Sequence, residues 1–169
     1  INLDPEVAHE IELGFDWQHC RLTMSPRIFY RDIDYYIQGT ASTNTNAMMF
    51  VKMMNMVNGA NNTPPLEFDN VDATLYGFDL DWFYSINSYW SLNGVVNYVR
   101  GKRDDIDDNL YRIAPLNALI ALNYQSTNWG LTLETYLYDE QNKVSATNTE
   151  QITGGYALFN LTGYWQYNN

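Results

Sequence analysis

Five of the six methionines fall within nine positions of the segment Ala47-Met48-Met49-Phe50-Val51-Lys52-Met53-Met54-Asn55-Met56. Thioether sulfur is a soft ligand suited to Cu(I), and two or three converging on one ion could capture it. Met49, Met53 and Met56 follow the i, i+4, i+7 spacing of one helical face, with Met48 and Met54 as further candidates. The same spacing serves a short amphipathic helix whose methionines pack on their own loop or on another part of the protein, since Met readily fills irregular gaps. A second cluster, Asp104, Asp105, Asp107 and Asp108 beside Asn109, offers the oxygen ligands that hard cations require. It lacks EF-hand spacing and a turn glycine, and reads as a solvated acidic loop. Nucleophilic catalysis has little to work with. His9 lies near a strand start, while His19 adjoins the single cysteine, Cys20, in a tight turn where neighbours do not orient a nucleophile against its base. No glycine-rich phosphate loop is present, so neither an enzyme nor a resident cofactor is expected.

The 169 residues include 20 Asp and Glu against 9 Lys and Arg, a net charge of −11 that excludes a nucleic-acid backbone binder. Aromatic residues reach 15% and charged residues only 17%, where soluble domains carry about 25% charged. Something other than water is therefore expected to touch much of the surface. No apolar run exceeds five residues, which rules out a spanning helix of roughly 20. No basic n-region followed by an apolar h-region is present, as expected of a cytosolic chain or of one whose start lies elsewhere.

Period-two alternation recurs in seven segments of roughly ten residues. They run from Val7 to Trp17, Arg21 to Tyr30, Ala73 to Tyr84, Trp90 to Tyr98, Asn117 to Tyr124, Trp129 to Leu137 and Leu158 to Tyr167. Glu10, Glu12, Asp16, Asp79, Asp81 and Glu134 fall on the polar face. The connections alternate in length: short at His19–Cys20, Ser85 to Tyr89 and Gln125 to Asn128, longer at Ile37 to Asn70, Gly101 to Arg112 and Glu140 to Gly155. This predicts an all-β, antiparallel up-and-down meander of about seven strands.

Trp17, Trp82, Trp90, Trp129 and Trp165 all lie beside a short turn or the chain's last residues, while Tyr30, Tyr76, Tyr98, Tyr111, Tyr138 and Tyr156 lie nearer the other end. Two such levels predict the aromatic girdles of an outer-membrane β-barrel in contact with lipid, short turns facing the periplasm. A soluble sandwich or lipocalin-like barrel shares the alternation but not this sorting. Pro26 falls inside a strand, where an edge or a bulge would accommodate it. Seven is an odd count, whereas single-chain bacterial barrels close with an even one, so the segment is expected to be part of a larger barrel.

Asn2-Leu3-Asp4-Pro5-Glu6 followed by His9-Glu10-Ile11-Glu12-Leu13-Gly14 resembles the "N-x-x-L-x-P-E-x-x-x-x-x-E-x-G" lead-in to a late barrel strand of TonB-dependent outer-membrane receptors, offset by one residue at its start. Tyr30 to Ile37 is similar to the family's "Y-x-x-x-I-x-x-Y-I" passage, and Asn70 to Asp79 to its "N-x-x-x-A-x-x-x-G-x-E" strand, with Asp79 in place of Glu. Trp90 to Arg100, then Ile113-Ala114-Pro115-Leu116, resembles "W-x-L-x-x-x-x-x-Y" followed by "I-P-P-x-x-x-x", with Ala114 replacing the first Pro. The spacing between these motifs resembles the copper-receptor branch. The resemblance implies a barrel of about 22 strands in a Gram-negative outer membrane. An N-terminal plug and an inner-membrane energy-coupling complex complete such a receptor, which imports copper or a siderophore-iron chelate. On this reading residues 1–169 are a fragment of the barrel domain, without the plug, the coupling segment and the terminal strands. The alternative is a small passive barrel or adhesin that binds a partner through its loops.

Overall fold

The computed structural model describes residues 3–58 and 64–167. Its elements are β1 (Val7–Gly14), β2 (Trp17–His19), β3 (Leu22–Ala41), α1 (Thr45–Asn58), β4 (Leu66–Ser85), β5 (Trp90–Arg103), β6 (Asn117–Gln125), β7 (Trp129–Tyr138) and β8 (Tyr156–Trp165). The strands form one antiparallel sheet in the order β1-β3-β4-β5-β6-β7-β8, with β2 also paired to β3. The meander is as expected, and the sheet stays open between β1 and β8.

Eight strands occupy seven positions, because β1 and β2 continue one register along β3: Gly14 faces Arg27 and Trp17 faces Met24. The single strand expected from Val7 to Trp17 is interrupted at Phe15 and Asp16, and Pro26 explains why. Phe15 N–H donates to the Pro26 carbonyl at 3.3 Å, but proline has no N–H to return to Phe15. On its other side Pro26 faces Leu80 within an unbroken register. It therefore sits at neither an edge nor a bulge, and its cost falls on β1.

β3 and β4 are each 20 residues long, well beyond the segments Arg21 to Tyr30 and Ala73 to Tyr84. The two ends of the expected loop from Ile37 to Asn70 are thus strand, and the connection shrinks to residues 42–65. A bulge hides this from the sequence. Ile33 faces Ala73 and Tyr36 faces Val71, so Asp34 and Tyr35 together oppose Asp72. Tyr35 adopts φ 62°, and the extra residue reverses the parity of inward and outward side chains. β5 likewise extends to Arg103, and β8 starts and ends about two residues before the expected span.

The register sorts the side chains into two faces. One is apolar: Ile11, Leu13 and Trp17 share it with Ile28, Leu80, Phe78, Val96, Ile120, Leu133 and Leu161. The other carries Glu10, Glu12, Asp79, Asp81 and Glu134, as the alternation predicts, together with Arg27, Arg31, Asn93 and Asn123. At the long-loop end Leu110 folds back onto that polar face and is buried with Val71 and Ala73, flanked by Tyr36, Leu75 and Ile113. This small cluster anchors the outer loops to the sheet.

Candidate functional site

The five tryptophans all lie on the apolar face, at the short-turn end. Trp17, Met24 and Trp82 form one cross-strand row, and Trp129 faces Trp165. Tyr124 bridges Trp90 and Trp129, with ring centroids 4.8 and 4.6 Å apart. Trp90 and Arg100 lie ten residues apart on one strand. At about 3.3 Å per residue and a tilt near 40°, that is about 25 Å of height, the thickness of a barrel's apolar band. The tyrosines divide differently. Tyr30 faces Tyr76, and Tyr98 faces Phe78, on the apolar side. Tyr138 and Tyr156 are stacked at 4.7 Å on the polar face, because one residue of parity separates them from Leu137 and Ala157. Tyr111 is in a loop, its N–H donating to Gln38 Oε1 at 2.9 Å.

On the polar face charges and amides are paired across strands. Arg31 bridges Glu10 at 2.8 Å and Arg27 lies 3.8 Å from Glu12. Asn123 receives Thr132 Oγ1 at 3.0 Å and donates to Asn93 at 2.7 Å. Before β1 the backbone is tied to the long hairpin. Asp4 N–H donates to Asn70 Oδ1 at 2.7 Å, Asn70 Nδ2 donates to the Tyr35 carbonyl at 2.6 Å, and Ile37 N–H donates to Glu6 at 2.6 Å. The motif residues Asp4, Glu6 and Asn70 thus share one task, and Asn2 lies outside the described residues.

The methionine segment is a helix. Asn44 caps it, its Oδ1 accepting the amides of Asn46 at 3.0 Å and Ala47 at 3.2 Å, and Ser42 Oγ in turn accepts the Asn44 amide. Among the described residues α1 packs on no strand. Met49, Met53 and Met56 are 70%, 55% and 77% exposed on one face, continued by Phe50 and Val57. Met48 and Met54 lie off that face and are exposed too, at 43% and 41%. Among the described residues no strand covers these methionines. The three thioethers thus share one exposed helical face.

The acidic loop is not merely solvated. Asp108 lies between two loops and accepts hydrogen bonds from Ser145 Oγ, the Ala146 and Thr147 amides, Thr147 Oγ1 and its own neighbour's amide, Asn109, all within 3.0 Å. Partial burial works to raise its pKa, and the bonds from Thr147, Ala146 and Asn109 outweigh it, holding the carboxyl down to about 2. Glu150 reciprocates, accepting the Ser145 amide at 2.8 Å and the Arg112 amide at 3.1 Å. Asn109 Nδ2 donates to the Val144 carbonyl at 2.8 Å. Asp105 is instead gripped by two guanidinium nitrogens of Arg103, Nε at 2.9 Å and Nη2 at 2.5 Å. This latch between loops 104–116 and 139–155 was not visible in the sequence, since its partners are nearly forty positions apart.

The family model for the TonB-dependent receptor-like β-barrel matches residues 1–169. The chain belongs to this family. Its members are receptors and transporters of the Gram-negative outer membrane, so the sheet is a section of a large transmembrane β-barrel and its apolar face is the lipid-facing one. Among solved structures, a copper transporter, OprC, superposes with a TM-score of 0.81 at 20% identity, over 99% of this chain and 24% of that one. The siderophore receptor PirA from Acinetobacter baumannii gives 0.70 at 16% identity, over 99% and 26%. The ferric yersiniabactin uptake receptor FyuA from Yersinia pestis gives 0.64 at 14% identity, over 95% and 22%. The chain therefore spans about a quarter of the length of these receptors. No match is found among curated proteins.

Proposed function

We propose that this segment forms part of the wall and outer loops of a longer receptor that imports copper across the outer membrane of a Gram-negative bacterium. The observation that carries the reading is α1: a capped helix that lifts Met49, Met53 and Met56 on one exposed face above the barrel rim. Cu(I) is the metal for which thioethers are the preferred protein ligand, and binding residues concentrate on loops that a rigid scaffold presents. The likeness to a named copper transporter supports the same substrate, while siderophore receptors share the fold with less close superposition. On this reading the remainder of the receptor supplies the plug that fills the polar-faced lumen and the segment that meets the energy-coupling complex. The five tryptophans anchor the periplasmic rim in the membrane interface.

Exchanging Met49, Met53 and Met56 together for Leu keeps helix propensity and side-chain volume while removing sulfur. Copper uptake by whole cells carrying the full receptor is expected to fall to roughly a tenth, the loss that follows removal of the soft ligands of a capture site. The amount of folded receptor in the outer membrane is expected to stay the same. Undiminished uptake would rule out capture by this helix and leave a chelate bound elsewhere as the substrate.

A further inference from the structure

The six methionines stand in two settings. Met24 lies on the lipid-facing wall, in one row with Trp17 and Trp82, and is half-buried. The other five lie on α1, in the outer connection between β3 and β4, and are 41% to 77% exposed. Oxidation of a thioether follows its exposure and turns a flexible apolar side chain into a polar, chiral one. It also replaces the soft donor, because a sulfoxide offers oxygen, the ligand of harder ions. Capture of a soft metal and attack on an oxidant draw on the same sulfur lone pairs. A bound ion therefore shields the thioether, and an oxidised thioether no longer binds the ion.

On α1 this exchange stays local. None of its residues is buried, and among the described residues it packs on no strand. Its N-cap relies on the side-chain oxygens of Asn44 and Ser42, not on sulfur. Lys52 is its only charged residue, so the polarity of the exposed face is set by the state of its methionines. Sulfoxide oxygens on Met49, Met53 and Met56 change what that face binds and remove no contact that the sheet uses. Oxidation of Met24 would instead set a polar group among the indoles of the lipid-facing wall, at a cost to the fold.

We propose that α1 is an oxidation switch: a peroxide outside the cell converts Met49, Met53 and Met56 to sulfoxides and turns off capture of the soft metal while the barrel stays folded. A sulfur lone pair attacks one peroxide oxygen and forms the S–O bond as the O–O bond breaks. The other oxygen takes up the proton of the first and leaves as water. One thioether and one hydrogen peroxide thus give one sulfoxide and one water, with sulfur oxidised by two electrons and the peroxide reduced. The inference rests on the copper reading for what is switched off, whereas the order in which the methionines oxidise is independent of it.

The test treats the full receptor in detergent with hydrogen peroxide and follows the gain of oxygen at each methionine by mass spectrometry of its peptides. It is run with and without Ag(I), a soft ion with the charge of Cu(I) that peroxide does not oxidise. Met49, Met53 and Met56 are expected to oxidise before Met24, and Ag(I) at about ten times its Kd is expected to slow them about tenfold. The oxidised receptor is expected to bind Ag(I) about tenfold more weakly and to recover after treatment with the two methionine sulfoxide reductases, one for each epimer. Its heat-modifiable gel migration is expected to remain that of the folded barrel. Oxidation of Met24 ahead of the three, or loss of the folded band on their oxidation, would overturn the switch. Ag(I) binding that is lost in the combined variant Met49→Leu, Met53→Leu and Met56→Leu but kept after full oxidation overturns the switch alone. Binding that is the same in the native receptor and in that variant overturns the copper reading, and the switch with it.

Discussion

Gly94→Leu is expected to prevent the receptor from reaching its folded form in the membrane. Gly94 faces Trp82 on one side and Ile120 on the other, and the indole of Trp82 lies across it. A Cβ at this position would stand 2.8 Å from the Trp82 ring carbons Cε2 and Cζ2 and collide with the Leu119 carbonyl oxygen. A side chain can swing away, but a carbonyl in the ladder of a packed sheet cannot, so the strands must part. The cost is expected to be about 3 kcal/mol or more, the upper range of overpacking. It is read as loss of the heat-resistant folded band of the full receptor. Trp82→Leu in the same chain should not restore it, because the backbone collision remains. Full rescue by Trp82→Leu would show that the ring alone imposes the glycine. The aromatic ring laid over a facing glycine recurs on the polar side, where Phe29 covers Gly77, and such pairs help to fix register in curved sheets.

The second large effect belongs to the loop latch. Asp108→Ala removes the acceptor of five hydrogen bonds, and loops 104–116 and 139–155 are expected to separate. Hydrogen exchange at the amides of Ala146 and Thr147 is expected to accelerate in the variant, while that of β6 and β7 stays protected. The latch is also pH-dependent. Its carboxyl is lowered in the folded loop to about 2 from 3.8. The stabilisation is therefore present above the ordinary carboxyl pKa of 3.8 and is lost as pH falls through that value toward 2. Exchange at Ala146 and Thr147, corrected for the intrinsic pH dependence of amide exchange, should rise over that window in the native receptor and not in Asp108→Asn. A native loop equally protected at pH 2 and pH 7 would show that the carboxylate does not hold it.

Both effects bear on how far the sequence alone could be read. Alternation placed Ile11, Leu13 and Trp17 on one face and Glu10 and Glu12 on the other, and the register agrees because period two is a local property of extended chain. It failed where locality failed. The bulge at Tyr35 reverses parity, so the outer ends of β3 and β4, 37–41 and 66–70, read as loop although they are paired. Tyr138 was assigned to the same aromatic level as Tyr30 by its distance along the chain, but its parity puts it on the polar face. The break in β1 is set by a proline on the neighbouring strand, which only the register reveals. Asp108 read as one of four solvated carboxylates because its donors arrive from Ser145, Ala146 and Thr147, in a different loop. The methionine spacing was legible in full, since i, i+4, i+7 needs only one helix, while the exposure of that face depends on what surrounds it.

Capture of Cu(I) by the thioethers of α1 is tested most directly by X-ray absorption at the copper edge on the full receptor loaded with one equivalent of Cu(I). Two or three sulfur neighbours are expected in the native protein, and their loss, with weaker binding, when Met49, Met53 and Met56 are all Leu. A copper environment of nitrogen and oxygen alone, or a sulfur signal unchanged by that triple substitution, would contradict the assignment and move the metal away from this loop.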